Sequence, residues 1–277
     1  MAEKKRTSGG KKLSVIISIV NHKGGVGKTT TTINTAYALT KLKKKVLVVD
    51  ADPQGNSSLT LGQLSPFEQP TTIEDLFMEK NMVFSTCAQP SKYENLDLVP
   101  SNIDASAMAA RLSLSDPRRF MGLVNKLDDA AKKKYDFILI DCPPSLDSIF
   151  IVNALIMSNF YIIPVEAESS YALSGVDSLL KAVEVLTENT NPKLILLGAL
   201  LTMFDSRTIA ARVVAETTTS YFGQKNIFKT RIHRNTAVSR ANITNRCVCD
   251  LEPKSSGCQN YRAFAKELNE KVKKLME

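Results

Sequence analysis

Lys23-Gly24-Gly25-Val26-Gly27-Lys28-Thr29-Thr30 lies between an apolar run at 14–20 and a helically patterned stretch at 29–42. A glycine-rich turn that leaves a strand, opens a helix and closes on Gly-Lys-Thr is a phosphate-binding loop. Its glycines let backbone N–H groups close around phosphate oxygens, and the helix N-terminus adds the positive end of its dipole. In such a loop Lys28 reaches the β- and γ-phosphates, and the Thr29 hydroxyl ligates Mg²⁺. A plain glycine turn would not require the Gly-Lys-Thr ending. The loop departs from the usual G-x-x-x-x-G-K-[ST] spacing at one point: His22 stands where the first glycine belongs, and Lys23 follows it.

Working outward, apolar runs at 14–20, 46–50, 137–141, 161–165 and 194–201 read as strands. They are near-continuous rather than alternating, as expected for strands covered on both faces. Between them, 29–42, 117–134, 148–157, 170–187 and 206–221 read as helices. This βαβα order predicts an α/β, doubly wound, mostly parallel sheet with ligand groups at the carboxyl ends of its strands. Residues 60–93 contain Pro66, Pro70 and Pro90 and read as a surface excursion with one short helix near 72–78. With no internal repeat or long linker, residues 13–277 are expected to form a single domain behind a disordered basic arm, 1–12.

Two strand ends carry acids. The second strand runs into Asp50-Ala51-Asp52-Pro53-Gln54-Gly55-Asn56, and another into Asp141-Cys142-Pro143-Pro144-Ser145. Carboxylates emerging beside a phosphate loop are costly unless a cation or water meets them. Asp141, after four apolar residues, has the pattern of an acid that holds Mg²⁺ through water.

Bulk properties narrow the partners. At 277 residues, 43% apolar and 23% charged, the composition is that of an ordinary globular protein. No apolar run reaches the roughly 18–20 residues that span a bilayer, and the basic start is not followed by a signal-type segment and cleavage site. The net charge of +8 suits a polyanionic partner or simply a solvated basic surface, and composition alone does not choose. Five cysteines scattered through such a pattern argue for a reducing compartment and for plain buried or surface thiols rather than a disulfide framework. Cys247 and Cys249 form a lone C-x-C pair; with only His22 and His233 available, a zinc site lacks ligands.

The loop K-G-G-V-G-K-T, the block D-A-D-P-Q-G-N and the block D-C-P-P-S resemble the ParA/Soj partition ATPases, a deviant Walker A branch of the P-loop NTPases. Glu166-Ala167-Glu168 through Gly175, residues 201–208 (L-T-M-F-D-S-R-T) and Glu252-Pro253-Lys254-Ser255-Ser256-Gly257 extend the resemblance over nearly the whole chain after Leu13. It implies an ATP- and Mg²⁺-dependent ATPase that dimerises with ATP sandwiched between subunits. Lys23, Gly24, Gly25, Val26, Gly27, Lys28, Thr29 and Thr30 would bind ATP, with Lys23 reaching the partner's nucleotide. Asp52 would orient the attacking water, Thr29 and Asp141 would hold Mg²⁺ with support from Asp50, and Arg234 and Asn235 would line the base pocket. The family carries I-P-R-N-V-R near its base site, and its second arginine, which helps bind DNA, falls on Ala237 here. Arg207, Lys225, Lys229, Arg231, Arg240 and Arg246 nonetheless cluster, with few acids before Asp250. They are expected to bind double-stranded DNA without sequence preference, at a cytoplasmic, nucleoid-associated location, with a ParB-like activating protein and a chromosome, plasmid or other large body as cargo.

The nearest rival is a MinD-like membrane switch, suggested by the stripe Tyr261, Phe264, Leu268, Val272 and Leu275 flanked by lysines. An iron–sulfur reductase needs two cysteines per subunit meeting across a dimer axis, and only Cys142 is expected near the switch region. An ATP-dependent small-molecule ligase has no further substrate motif to point to.

Overall fold

A computed structural model describes residues 13–112, 115–168, 173 and 175–277. The expected arm at 1–12 and most of the start of the helix expected at 170–187 lie outside the described residues. Among the described residues, seven strands form one sheet: β1 Val15–Ile19, β2 Val46–Asp50, β3 Gln89–Pro90, β4 Leu96–Val99, β5 Phe137–Asp141, β6 Phe160–Glu166 and β7 Ile195–Thr202. Their order is β3-β4-β2-β5-β1-β6-β7. Every pairing is parallel except β3 with β4. The doubly wound expectation holds.

Alternate strand residues feed two apolar layers, one on each face. Ile17, Val48 and Leu139 meet the helix Lys28–Lys41 through Ile33, Ala36 and Leu39. Ile16, Val49 and Ile138 face the opposite layer, which includes Phe77, Phe150 and Leu179. Burying one such side chain is worth about 1.5–3 kcal/mol, so it is the paired faces that hold the loops at the strand ends in place.

The terminal helix Ser256–Met276 lies against the helix Lys28–Lys41. Tyr261, Phe264, Leu268 and Val272 are buried in that contact layer, leaving only Leu275 of the stripe exposed. The stripe therefore serves packing, which removes the feature that suggested a membrane surface.

Three expectations need correction. Residues 60–93 carry the expected short helix, at Ile73–Met78, but not as a surface excursion: Ile73, Leu76, Phe77, Phe84 and Cys87 are buried, the last two on a further helix, Phe84–Cys87. The helix expected at 117–134 is broken into Arg118–Met121, a 3-10 turn at Val124–Lys126 and Asp129–Lys134. The Asn153 amide interrupts it, donating to Arg118 O (3.2 Å) and Arg119 O (2.9 Å) and accepting from Leu123 N (2.9 Å). Gly122 sits so close to Phe77 that a Cβ there would lie 2.3 Å from the ring. Finally, Cys249 and Cys258 form a disulfide, against the expectation of plain thiols, while Cys87, Cys142 and Cys247 are free and buried.

Candidate nucleotide-binding site

β1 delivers the glycine loop, and its neighbours fix it. Asn21 Nδ2 donates to Pro164 O at the end of β6 (2.8 Å), while Asn21 Oδ1 accepts from Lys23 N (3.0 Å). From the end of β7, Thr202 Oγ1 donates to Val26 O at 2.9 Å. Gly25 and Gly27 take φ of +79° and +87°, a region that favours glycine. A Cβ added to Gly24 or Gly25 would meet nothing within 4 Å, so the loop opens onto free space. The first N–H groups of the helix Lys28–Lys41 have no helical carbonyl to meet, as at any helix start. Lys28 Nζ folds back to donate to Lys23 O at 3.0 Å.

His22 takes a defined place. Its imidazole covers Gly175, where an added Cβ would lie 2.0 Å from the ring. Its Nδ1 is buried without a hydrogen-bond partner among the described residues.

The strand-end acids divide their work. Asp50 and Asp141 are direct neighbours across the β2–β5 ladder, and both are fully buried. Asp50 Oδ2 accepts from Ser58 N (2.7 Å) and Ser58 Oγ (2.6 Å), and Oδ1 accepts from Asp52 N (3.3 Å). Burial, with the charge on Asp141 next, pushes the Asp50 pKa well above the usual carboxylate range. Asp141 Oδ2 accepts from Ser57 Oγ at 2.8 Å, but its buried Oδ1 has no hydrogen-bond partner among the described residues. Burial raises Asp141 to about 6, while hydrogen bonding from Ser57 and Thr29 pulls the other way. Burial also lowers the Lys28 pKa, opposed mainly by the Asp141 charge. A buried carboxylate with one open oxygen, a threonine hydroxyl beside it and an open glycine loop is a donor set suited to a hard cation and a polyphosphate. Asp52 accepts from Gln54 N at 3.0 Å and lies at the surface edge of this cluster, 9% exposed.

Next to the loop a cavity of about 140 Å³ is lined by Gly27, Thr30, Met203, Arg234, Val238 and Asn242 among others. Arg234 reaches it while ion-paired with Glu168. Asn235 lines it too, but its amide caps the helix Thr236–Ile243 (Oδ1 from Ala237 N, 2.8 Å) and donates to Ser256 Oγ (2.6 Å). Lys23 Nζ is held by Glu166 Oε2 at 3.0 Å. Neither acid was singled out among the site residues from the sequence. Glu166 lies 143 positions from Lys23, and only the β1–β6 pairing brings their strand ends together.

Among the described residues, three of the six basic residues expected to bind DNA are ion-paired. Arg207 holds Asp205 (2.6 Å), Arg240 holds Glu252 (2.7 Å) and Arg246 holds Asp250 (2.9 Å). Arg231 stacks 4.5 Å from the centre of the Phe204 ring. Lys225 and Lys229 instead line a groove with Lys271, Lys274, Glu267 and Glu270. Arg207 and Arg234 share a different hollow with Ser256. From Ser256 to Lys271 along one helix is about 20 Å, so the sequence cluster occupies two places. The run from Lys225 to Arg246 contains no acid, and the partners of its arginines come from Glu252 and Asp250 beyond it. Ala237 is 2% exposed, so its methyl group presents no surface to a partner.

A family model described as an AAA domain matches residues 14–196. The chain is 37% identical over 254 residues to the sporulation initiation inhibitor protein Soj of Bacillus subtilis, covering 91% of this chain and 97% of that protein. It is 36% identical over 256 residues to the chromosome partitioning protein ParA of Myxococcus xanthus, covering 91% and 87%. Among solved structures, the cobyrinic acid a,c-diamide synthase of Mycobacterium smegmatis with bound ATP analog and magnesium is similar at a TM-score of 0.75 and 30% identity, covering 92% and 93%. The two curated relatives span almost all of the chain that carries the loop, the strand-end acids and the later blocks, and on that ground the chain belongs to the ParA/Soj family of partition ATPases.

Proposed function

We propose that this chain is a Mg²⁺-ATP-dependent ATPase whose nucleotide state controls dimerisation and, through it, non-specific binding to double-stranded DNA. The observation that carries the reading is Asp141 Oδ1, buried with no hydrogen-bond partner among the described residues, beside Thr29, Lys28 and a glycine loop whose Gly24 and Gly25 face open space. Those residues fit a nucleotide and its metal. Thr29 and Asp141 would hold Mg²⁺, which when bound neutralises phosphate charge. Asp50 acts one step back, through Ser58, because its oxygens already have partners. Lys28 and the loop amides bind the β- and γ-phosphates, Asp52 orients the attacking water, and Arg234 and Asn235 flank the base. Lys23 of each subunit serves the partner's nucleotide, in the manner of an arginine finger supplied in trans.

The similarity to Soj and ParA supports a role in positioning a chromosome, plasmid or other large body, in the cytoplasm and on the nucleoid, with a ParB-like protein stimulating turnover. Intrinsic turnover is slow, since the ATP dimer must persist long enough to act. Light scattering after gel filtration is expected to give a monomer with ADP and a dimer with ATP and Mg²⁺. Phosphate release should stop when EDTA exceeds the metal. A chain that stays monomeric with ATP, or that turns over unchanged in EDTA, does not work this way.

A further inference from the structure

Lys23 is engaged within its own chain. Its ammonium sits 3.0 Å from Glu166 Oε2, with both side chains about three-quarters buried. Two residues on, Glu168 holds Arg234 at the mouth of the base cavity. The carboxyl end of β6 thus presents carboxylates at i and i+2, each gripping a basic group of the nucleotide site. One of those groups lies in the phosphate loop, the other beside the candidate base pocket.

We infer that Glu166 is a positioning residue that latches Lys23 in cis, and that ATP-driven dimerisation proceeds by transfer of this lysine from Glu166 to the partner's phosphates. The inference rests on the reading of Lys23 as a residue that acts in trans. The 3.0 Å contact holds the ammonium against its own β6, and on this reading carrying it to the partner's phosphates draws it off Glu166, so that the pair opens in each subunit. Opening it leaves a partly buried carboxylate beside a polyphosphate, an arrangement of like charges that opposes the dimer. Triphosphate offers the lysine more negative charge than one carboxylate does, whereas a diphosphate lacks the γ-group to complete the exchange. Glu166 therefore sets a threshold that favours the monomer until ATP is present in both subunits.

Glu166→Gln removes the charge and keeps the shape. Sedimentation velocity with AMP-PNP and Mg²⁺ across a protein dilution series is expected to show its dimer forming at roughly tenfold lower concentration. A partly exposed pair is worth up to about fivefold, and two open per dimer. ADP affinity and melting temperature measured alongside report whether the variant is correctly folded. In a Lys23→Ala background, Glu166→Gln should have no further effect, because the latch has lost its bolt. If Lys23→Ala abolishes the dimer while Glu166→Gln dimerises like the parent, the latch is overturned and the trans role of Lys23 stands. If folded Glu166→Gln fails to dimerise, Glu166 serves the dimer and the inference is wrong. If Lys23→Ala dimerises and turns over normally, the trans reading itself fails and takes the latch with it.

Discussion

Asp52 occupies a different environment from Asp50 and Asp141, although the three lie within one cluster. It stands past the end of β2, accepts from the turn N–H of Gln54, and is 9% exposed where Asp50 and Asp141 are fully buried. Such a group is free to orient water, whereas Asp50 is occupied by Ser58. Asp52→Ala is therefore expected to keep ATP binding and dimerisation and to lower turnover by about 10²–10⁴-fold, the usual range for a positioned acid–base group. Phosphate release and light scattering on the same preparation check both halves. A monomer in ATP would assign Asp52 to holding the turn. The loop and these acids were legible in the sequence because local chemistry demands them: the positive φ of Gly25 and Gly27 strongly favours glycine. The carboxylate partners of Lys23 and Arg234 were not legible, because 143 and 66 residues separate them and only the folded sheet brings them together.

The short helix Asn56–Leu61 transmits order between strands. Ser58 Oγ donates to Asp50 and also accepts from Ser101 N at 2.8 Å, tying the helix to the exits of β2 and β4. Ser57, beside it, orients Asp141. Ser58→Ala leaves a buried N–H without its partner and loosens a buried carboxylate. It is expected to cost about 1–3 kcal/mol in a denaturant titration, with Mg²⁺ affinity reduced because Ser57 moves with the helix. A neutral result would mean that the backbone N–H of Ser58 alone holds Asp50. At this scale the sequence was read correctly where runs are long and apolar. It was misread where they are short: β4 is four residues, Leu96–Val99, and its Asp97 accepts from Tyr135 Oη at 2.7 Å, so the apolar run is interrupted by an acid with a distant partner. The break in 117–134 depends on Asn153, which propensity at those positions does not report.

For the molecule as a whole, the charge is +8, and several of its exposed cations are paired with acids. Arg207, Arg240 and Arg246 are exposed but paired, so DNA phosphates must compete with Asp205, Glu252 and Asp250. Exposed pairs of this kind are weak and yield to a polyanion. Duplex DNA of any sequence is expected to bind with ATP and scarcely with ADP, because the dimer doubles the contacts. If six or more phosphates are engaged, affinity should fall by orders of magnitude between about 50 and 200 mM salt. Arg207→Glu should abolish binding and spare DNA-free turnover, and Arg240→Ala should reduce the salt slope by about one unit. Fluorescence anisotropy on unrelated duplexes decides; equal affinity in ADP and ATP would remove the switch. Packed side by side along such a polymer, many copies would sit at high local concentration, where open strand edges invite fibrous aggregation. Here one edge ends in the two-residue β3, whose Pro90 has no N–H to offer. The other is occupied by the segment that donates from Phe228 and Ile232 to Ala199 and Leu201 of β7. Crowded molecules are thus denied strand-to-strand growth at both edges of the sheet.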